Sequence, residues 1–299
     1  MSRVKLPKAL ASQPFSTRQA LDAGVGRARL RGPDLRHPFR GVHLPAGVQP
    51  TFVNRCLALQ ARLPNHAFFS GVSSARIIGI PLPSRLEDDL QVHVSVPRPK
   101  VAPTGRRIVG HVSSFDATVL WNRVRVSPPA RAWCELAASL SVPDLVAAGD
   151  YLIHHELPIV SAADLRAAAV AWGRRAGSAK IREALPLVND RSESRRESLL
   201  RVLIVTAGFS GLETNYWITT SVGVRYRGDL VFPAEKVVVE YQSRFHDNTK
   251  NFASDMTRKS RLETDEWHVF EVNNNDLDVA AELLTRLRTV LERRRPANL

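Results

Sequence analysis

A chain of 299 residues is long enough for two domains or three small ones, and its 44% hydrophobic content supplies packed cores and excludes a wholly disordered chain. The formal charge of +13, carried mostly by arginine, points to an anionic partner, with DNA first; a solvated arginine-rich surface is the plain alternative. Cys56 and Cys134 stand far apart in apolar helical contexts, which excludes a disulfide framework and a zinc motif. The start MSRVKLPKALASQPF has no apolar signal region, so the expectation is a cytoplasmic protein with no membrane span.

The first 50 residues predict a helix over FSTRQALDAG, with Ser16 or Thr17 as N-cap and Gly24 as its stop. RARLRGPDLR predicts a second, arginine-rich helix, and RHPFRGVHLPAG a β-wing punctuated by Pro38, Gly41 and Pro45. Helix, turn, helix, wing is the order of a winged helix. Ala20 is small enough for close helix approach, and Gly24, four residues on, supplies a left-handed turn. Arg18, Arg27, Arg29, Arg31 and Arg40 are then candidates for contact with DNA phosphates or base edges; a solvated basic face is the other reading.

Residues 51–160 alternate helices and strands. TFVNRCLALQARL is amphipathic and helical, SSARIIGIPLP is a short helix ending at Gly79, and LQVHVSVPRP alternates as a half-buried strand. RIVGHVSSF and VRVSPP are further strands. PPARAWCELAASLSVPDLVAAGDYLI is helical, broken in two at Pro143 and Asp144. His93 and His111 lie in strands without carboxylates at ligand spacing and read as surface or hydrogen-bonded residues. Two more helical stretches lead to the polar break NDRSES, where a domain boundary is expected. Residues 191–299 then read αβββαβα.

The polar residues inside that last sheet carry the chemistry. In GDLVFPAEKVVVEYQ, a two-residue loop at Ala234 and Glu235 sets Asp229 opposite Glu240, with side chains about 5 Å apart. Gln242 follows Glu240 by two residues and shares its face, roughly 7 Å along the strand. A three-residue loop would flip the face. Two facing carboxylates repel, and a hard divalent cation, Mg²⁺ or Mn²⁺, removes that cost; the carbonyl of Tyr241 and waters would complete the shell. Glu197 is either a further acid or the last member of an S-x-x-E capping box. On the next helix Asp255, Arg258, Lys259 and Leu262 share a face: Leu262 anchors it, while Arg258 or Lys259 either holds a phosphate or pairs with Asp255. His246 is an acid, a phosphate contact or a plain loop histidine.

These residues resemble a known family. SESRRES, RGDLVFPAEKVVVEYQSRFH, the spacing of Asp255, Arg258 and Leu262, and WHVFEV are similar to the DUF559 family, related to very-short-patch-repair endonucleases of the PD-(D/E)XK nuclease-like fold. The resemblance implies a Mg²⁺-dependent endonuclease with Asp229 and Glu240 as metal ligands and Glu197 as the helix acid. Gln242 and Ser243 stand where that pattern has aspartate and glycine; glutamine can orient a water but carries no charge.

FSTRQALDAGVGRARLRGPDLRHPFRGVHLP, SSARIIGIPLP and VSPPARAWCELAA resemble the AbiEi type IV antitoxins, which implies an operator-binding winged helix. The expected organisation is an α/β, more narrowly α+β multidomain, chain: 1–50 winged helix, 51–190 mixed α/β, 191–299 nuclease-like. The expected function is a DNA endonuclease. The alternatives are a DNA-binding regulator with an inert nuclease-like domain, or an interaction protein whose charge serves solubility. A toxin partner and a homodimer stay open, with no residue identifying either.

Overall fold

The computed structural model describes residues 5–242 and 249–295, with side chains from residue 256 in the second span. The chain forms two compact units, 1–140 with 162–181, and 141–161 with 182–299. It is α/β in class.

In chain order the elements are α1 (Lys8–Ala11), β1 (Phe15–Ser16), α2 (Thr17–Asp22), β2 (Leu35–Arg36), β3 (Val42–Pro45), α3 (Phe52–Gln60), β4 (Phe68–Phe69), α4 (Gly71–Ile78), α5 (Ser84–Glu87), β5 (Val92–Pro97) and β6 (Ile108–Ser113). There follow β7 (Val119–Trp121), β8 (Val124–Val126), α6 (Pro129–Leu136), α7 (Val142–Leu152), α8 (Ala162–Trp172) and α9 (Ser178–Ala184). The C-terminal part holds α10 (Arg195–Thr206), β9 (Glu213–Thr219), β10 (Arg225–Phe232), β11 (Val237–Tyr241), α11 (Thr249–Thr264), β12 (His268–Val272), α12 (Asn274–Asp278) and α13 (Ala280–Arg294). Among the described residues no helix is long and apolar enough to cross a membrane.

The N-terminal segment packs Leu10, Phe15, Ala20, Val25, Leu30 and Leu35 into one small core under a three-stranded sheet ordered β1-β3-β2. Ser16 caps α2 with a full capping box to Gln19, and Gly24 leaves the helix at φ 76°. The second helix is shorter than the arginine run predicts. Only Arg29–Arg31 close a 3₁₀ turn, because Gly26 precedes it and Gly32 and Pro33 follow. A five-stranded sheet ordered β6-β5-β4-β8-β7 forms the rest of the unit 1 framework.

The break expected at Pro143 falls earlier. Pro143 sits in the first turn of α7, where its missing N–H costs nothing, and Ser141 caps the helix. α7 also belongs to unit 2 rather than to the middle segment. Asp150 on α7 is 1% exposed; its carboxylate pairs with Arg201 at 2.8 Å and accepts from Ser198 Oγ at 2.6 Å and the Asn189 amide at 2.7 Å. Arg201 and Ser198 are both on α10, so this buried network fixes α7 to α10.

The sheet of unit 2 runs β12-β11-β10-β9, antiparallel except for the β11–β12 pair. Leu200 and Ile204 of α10 and Leu283 and Leu287 of α13 cover one face, over Val237 and Val239. On the other face Leu262 of α11 packs with Ile218, Val231, Val238 and Val269. β11 is therefore buried on both sides, which explains its three consecutive valines.

Candidate functional site

The β10–β11 hairpin closes at Pro233, whose carbonyl accepts from the Lys236 amide at 3.3 Å. Its register pairs Phe232 with Val237, Val231 with Val238 and Leu230 with Val239. Carried one step further, Asp229 faces Glu240, as a two-residue loop at Ala234 and Glu235 requires. Asp229, Glu240, Gln242, Arg258, Lys259 and Glu271 line one cavity of about 620 Å³.

A kink delivers Asp229 to this place. The β9–β10 register runs from Arg225 to Gly228 and resumes at Leu230, skipping Asp229. Tyr226 and Val231 pack toward the same apolar cluster, so strict alternation inverts between them. Gly228 permits the inversion: a Cβ there would lie 2.5 Å from Val231 and 2.9 Å from Val238. On β9, Asn215 adopts a left-handed φ of 54° beside the kink.

The electrostatics follow from this crowding. Asp229 has its pKa pushed up to about 6, first by burial and then by the charge of Glu240, with Arg258 opposing. Glu197 is also raised, by burial and then by the charge of Asp229. Its amide is capped by Ser194 Oγ at 3.2 Å, and its carboxylate accepts from the Glu193 amide at 3.0 Å. Glu197 thus caps α10 and also lies within electrostatic reach of Asp229. Arg258 donates to Glu240 and, at 3.2 Å, to the Arg227 carbonyl. Lys259 pairs with Glu271 at 3.4 Å. Arg258 and Lys259 therefore each meet an acid of the sheet. The Asp255 side chain and His246 lie outside the described residues.

Among the described residues no group of three or more His, Cys, Asp or Glu side chains is arranged to hold a metal. Asp229 and Glu240 offer two carboxylates. The Tyr241 side chain packs on the opposite face and meets Asn274. Its main chain is oriented by the ladder: Lys236 O and Gln242 N bond toward β12, so the alternating Tyr241 carbonyl turns to the β10 side. This donor set suits an ion that retains several waters, as Mg²⁺ does.

Sequence reasoning missed three members of the region. Glu193 pairs with Arg227 at 2.6 Å, and both act electrostatically on Asp229. Glu271 is paired in register with Glu240 on the neighbouring parallel strand. The acidic residue in WHVFEV was the available signal for Glu271; Arg227 lay two residues before Asp229.

In unit 1, Arg18 is highly exposed, 3.9 Å from Asp22. Arg27, Arg31 and Arg40 are exposed. Arg29 differs: its guanidinium makes paired bonds of 3.0 and 2.7 Å to Asp34 and supports the fold of the turn. Arg40 joins Arg62, Arg106, Arg107 and His37 around a cavity of about 510 Å³. Arg62, Arg106 and Arg107 come from segments far from the wing, which hid this cluster in the sequence.

The described residues thus define a two-unit α/β protein with an acid-lined cleft in one unit and arginine clusters in the other. The chain is 26% identical over 285 residues to an uncharacterized protein of Mycobacterium tuberculosis strain CDC 1551 / Oshkosh, covering 94% of this chain and 99% of the relative. An uncharacterized protein of Mycobacterium tuberculosis strain ATCC 25618 / H37Rv matches with the same figures. No family model matches the chain, and no solved structure matches it.

Proposed function

We propose that this is a DNA-binding protein whose C-terminal unit hydrolyses phosphodiester bonds with Mg²⁺ or Mn²⁺. The observation that carries the reading is Asp229 facing Glu240 under a helix that presents Arg258 and Lys259. Asp229 and Glu240 would hold the ion with the Tyr241 carbonyl. Bound there, the ion would supply Lewis acidity toward a phosphate oxygen and acidify a coordinated water. Gln242 orients a water, Arg258 or Lys259 meets the developing charge, and Glu197 adds negative potential beside Asp229. Residues 1–50 serve as a winged-helix DNA-binding region, resembling the AbiEi antitoxins, and 191–299 as the DUF559-like nuclease domain. Two free buried cysteines, with Cys134 pushed up to about 12 mainly by burial, support a reducing, cytoplasmic setting.

A second reading is a DNA-binding regulator with an inert cleft. It is favoured by the guanidinium of Arg258 on Glu240, which already neutralises one carboxylate, and by the uncharged Gln242. Incubation of purified protein with supercoiled, linear and single-stranded DNA plus Mg²⁺ or Mn²⁺ separates the two. The nuclease reading expects cleavage that drops about a hundredfold or more in Asp229→Asn and Glu240→Gln. Saturable, salt-sensitive binding with no metal-dependent cleavage selects the regulator. Absence of salt-sensitive DNA binding overturns both.

A further inference from the structure

Unit 1 contains a second cavity, of about 480 Å³, separate from the arginine cluster near the wing. Its volume lies within the range of about 300–1,000 Å³ usual for small-molecule sites. β5 and β6 set His93 and His111 side by side on its wall, stacked at 5.3 Å with Nδ1 and Nε2 3.0 Å apart. α6 contributes Arg131 and Glu135, and the end of α8 contributes Trp172 and Arg175.

Arg131 is held in a fixed orientation. Its Nε donates to Glu135 at 2.7 Å and its Nη2 to Ser113 Oγ at 3.1 Å. Glu135 is itself consumed, accepting from the Gly71 amide at 2.7 Å and Ser127 Oγ at 2.9 Å. Arg131 Nη1 is buried and has no hydrogen-bond partner among the described residues. A tie between α6 and β6 would need Nε and Nη2 alone; it does not explain a buried donor left unmade, which is costly. Arg175 brings a second cation to the same place, its Nη1 donating to the carbonyls of Ala171 and Trp172 at the end of α8. Arg131 lies 3.7 Å and Arg175 4.6 Å from the centroid of the same Phe115 ring, and both also lie over Trp172. Glu135 is the one acid among the described residues lining the cavity.

Two guanidinium groups on one ring repel, and an oxyanion bound beside them relieves that repulsion. Phe115, Trp172 and the guanidinium planes add flat surfaces on which a base stacks. We propose that this cavity binds a 5′-mononucleotide unit, its phosphate on Arg131 and Arg175 and its base against the aromatic wall. The unit comes either from a free nucleotide or from the 5′ end of a DNA strand.

Calorimetric titration tests this with 5′-dAMP, inorganic phosphate, deoxyadenosine, and a short oligodeoxyadenylate with and without a 5′-phosphate. The expected result is saturable binding of 5′-dAMP, of the phosphorylated oligomer in preference to the hydroxyl form, or of both. Inorganic phosphate and deoxyadenosine should be weaker. Binding by 5′-dAMP alone identifies a free nucleotide, and a 5′-phosphate preference in the oligomer alone identifies a strand end. Arg175→Ala, at an exposed position, should weaken the favoured probe about tenfold or more while circular dichroism stays native. Arg131→Gln gives a second test if its spectrum is native. No saturable binding of either nucleotide probe, equal binding of inorganic phosphate, or indifference to a folded Arg175→Ala would overturn the assignment.

Discussion

Asp229 keeps its proton to about pH 6, whereas the ordinary value is 3.8. The unfolded chain releases that proton near pH 4 and the folded chain holds it longer. The resulting stabilisation is full below pH 4 and is lost as pH rises to 6, a difference of about 2–3 kcal/mol. Asp229→Asn should therefore match the wild type below pH 4 and melt higher at pH 7, as thermal denaturation across pH will show. In the nuclease reading, Mg²⁺ competes with the same proton. It should raise the wild-type melting temperature at pH 8 and have little effect at pH 5. Arg258→Ala removes the cation beside Glu240 and should cost about 1–3 kcal/mol at neutral pH, with millimolar Mg²⁺ recovering part of the loss in a melting assay. The Asp229–Glu240 juxtaposition was legible in the sequence because a tight hairpin fixes its partners by counting. The hold of Arg258 on Glu240 was not, because the pairing depends on how α11 docks over the sheet.

At the scale of elements, the β10 kink sets the geometry of the cleft. Gly228→Ala forces a methyl group against Val231 and Val238 and should destabilise unit 2 by about 1–3 kcal/mol while displacing Asp229. Urea denaturation, read beside metal binding, checks both effects. Strand alternation alone places Asp229 correctly with Val231 but cannot reveal the inversion at Gly228, which requires the paired irregularity at Asn215. Helix α7 offers a second case. Its helical character was legible, yet its attachment to α10 rests on Asp150 and Arg201, 51 residues apart. Asp150→Ala strands a buried guanidinium and should cost about 3–5 kcal/mol in the same denaturation assay.

For the whole molecule, the charge of +13 acts through clusters rather than uniformly. In the DNA-binding reading, Arg106→Ala combined with Arg107→Ala should reduce the magnitude of the salt slope of log affinity by about 1–2, measured by titration at several salt concentrations. The chain enters unit 2 at Ser141, returns to unit 1 at Ala162 and re-enters unit 2 at Arg182. During synthesis, the first unit cannot complete its fold until a segment destined for the second has already left the ribosome. At about 5–20 residues per second, α7 must wait several seconds for α10, with Asp150 exposed to water until Arg201 arrives. Biosynthesis thus joins the two units in time: each is left unfinished while part of the other is being made.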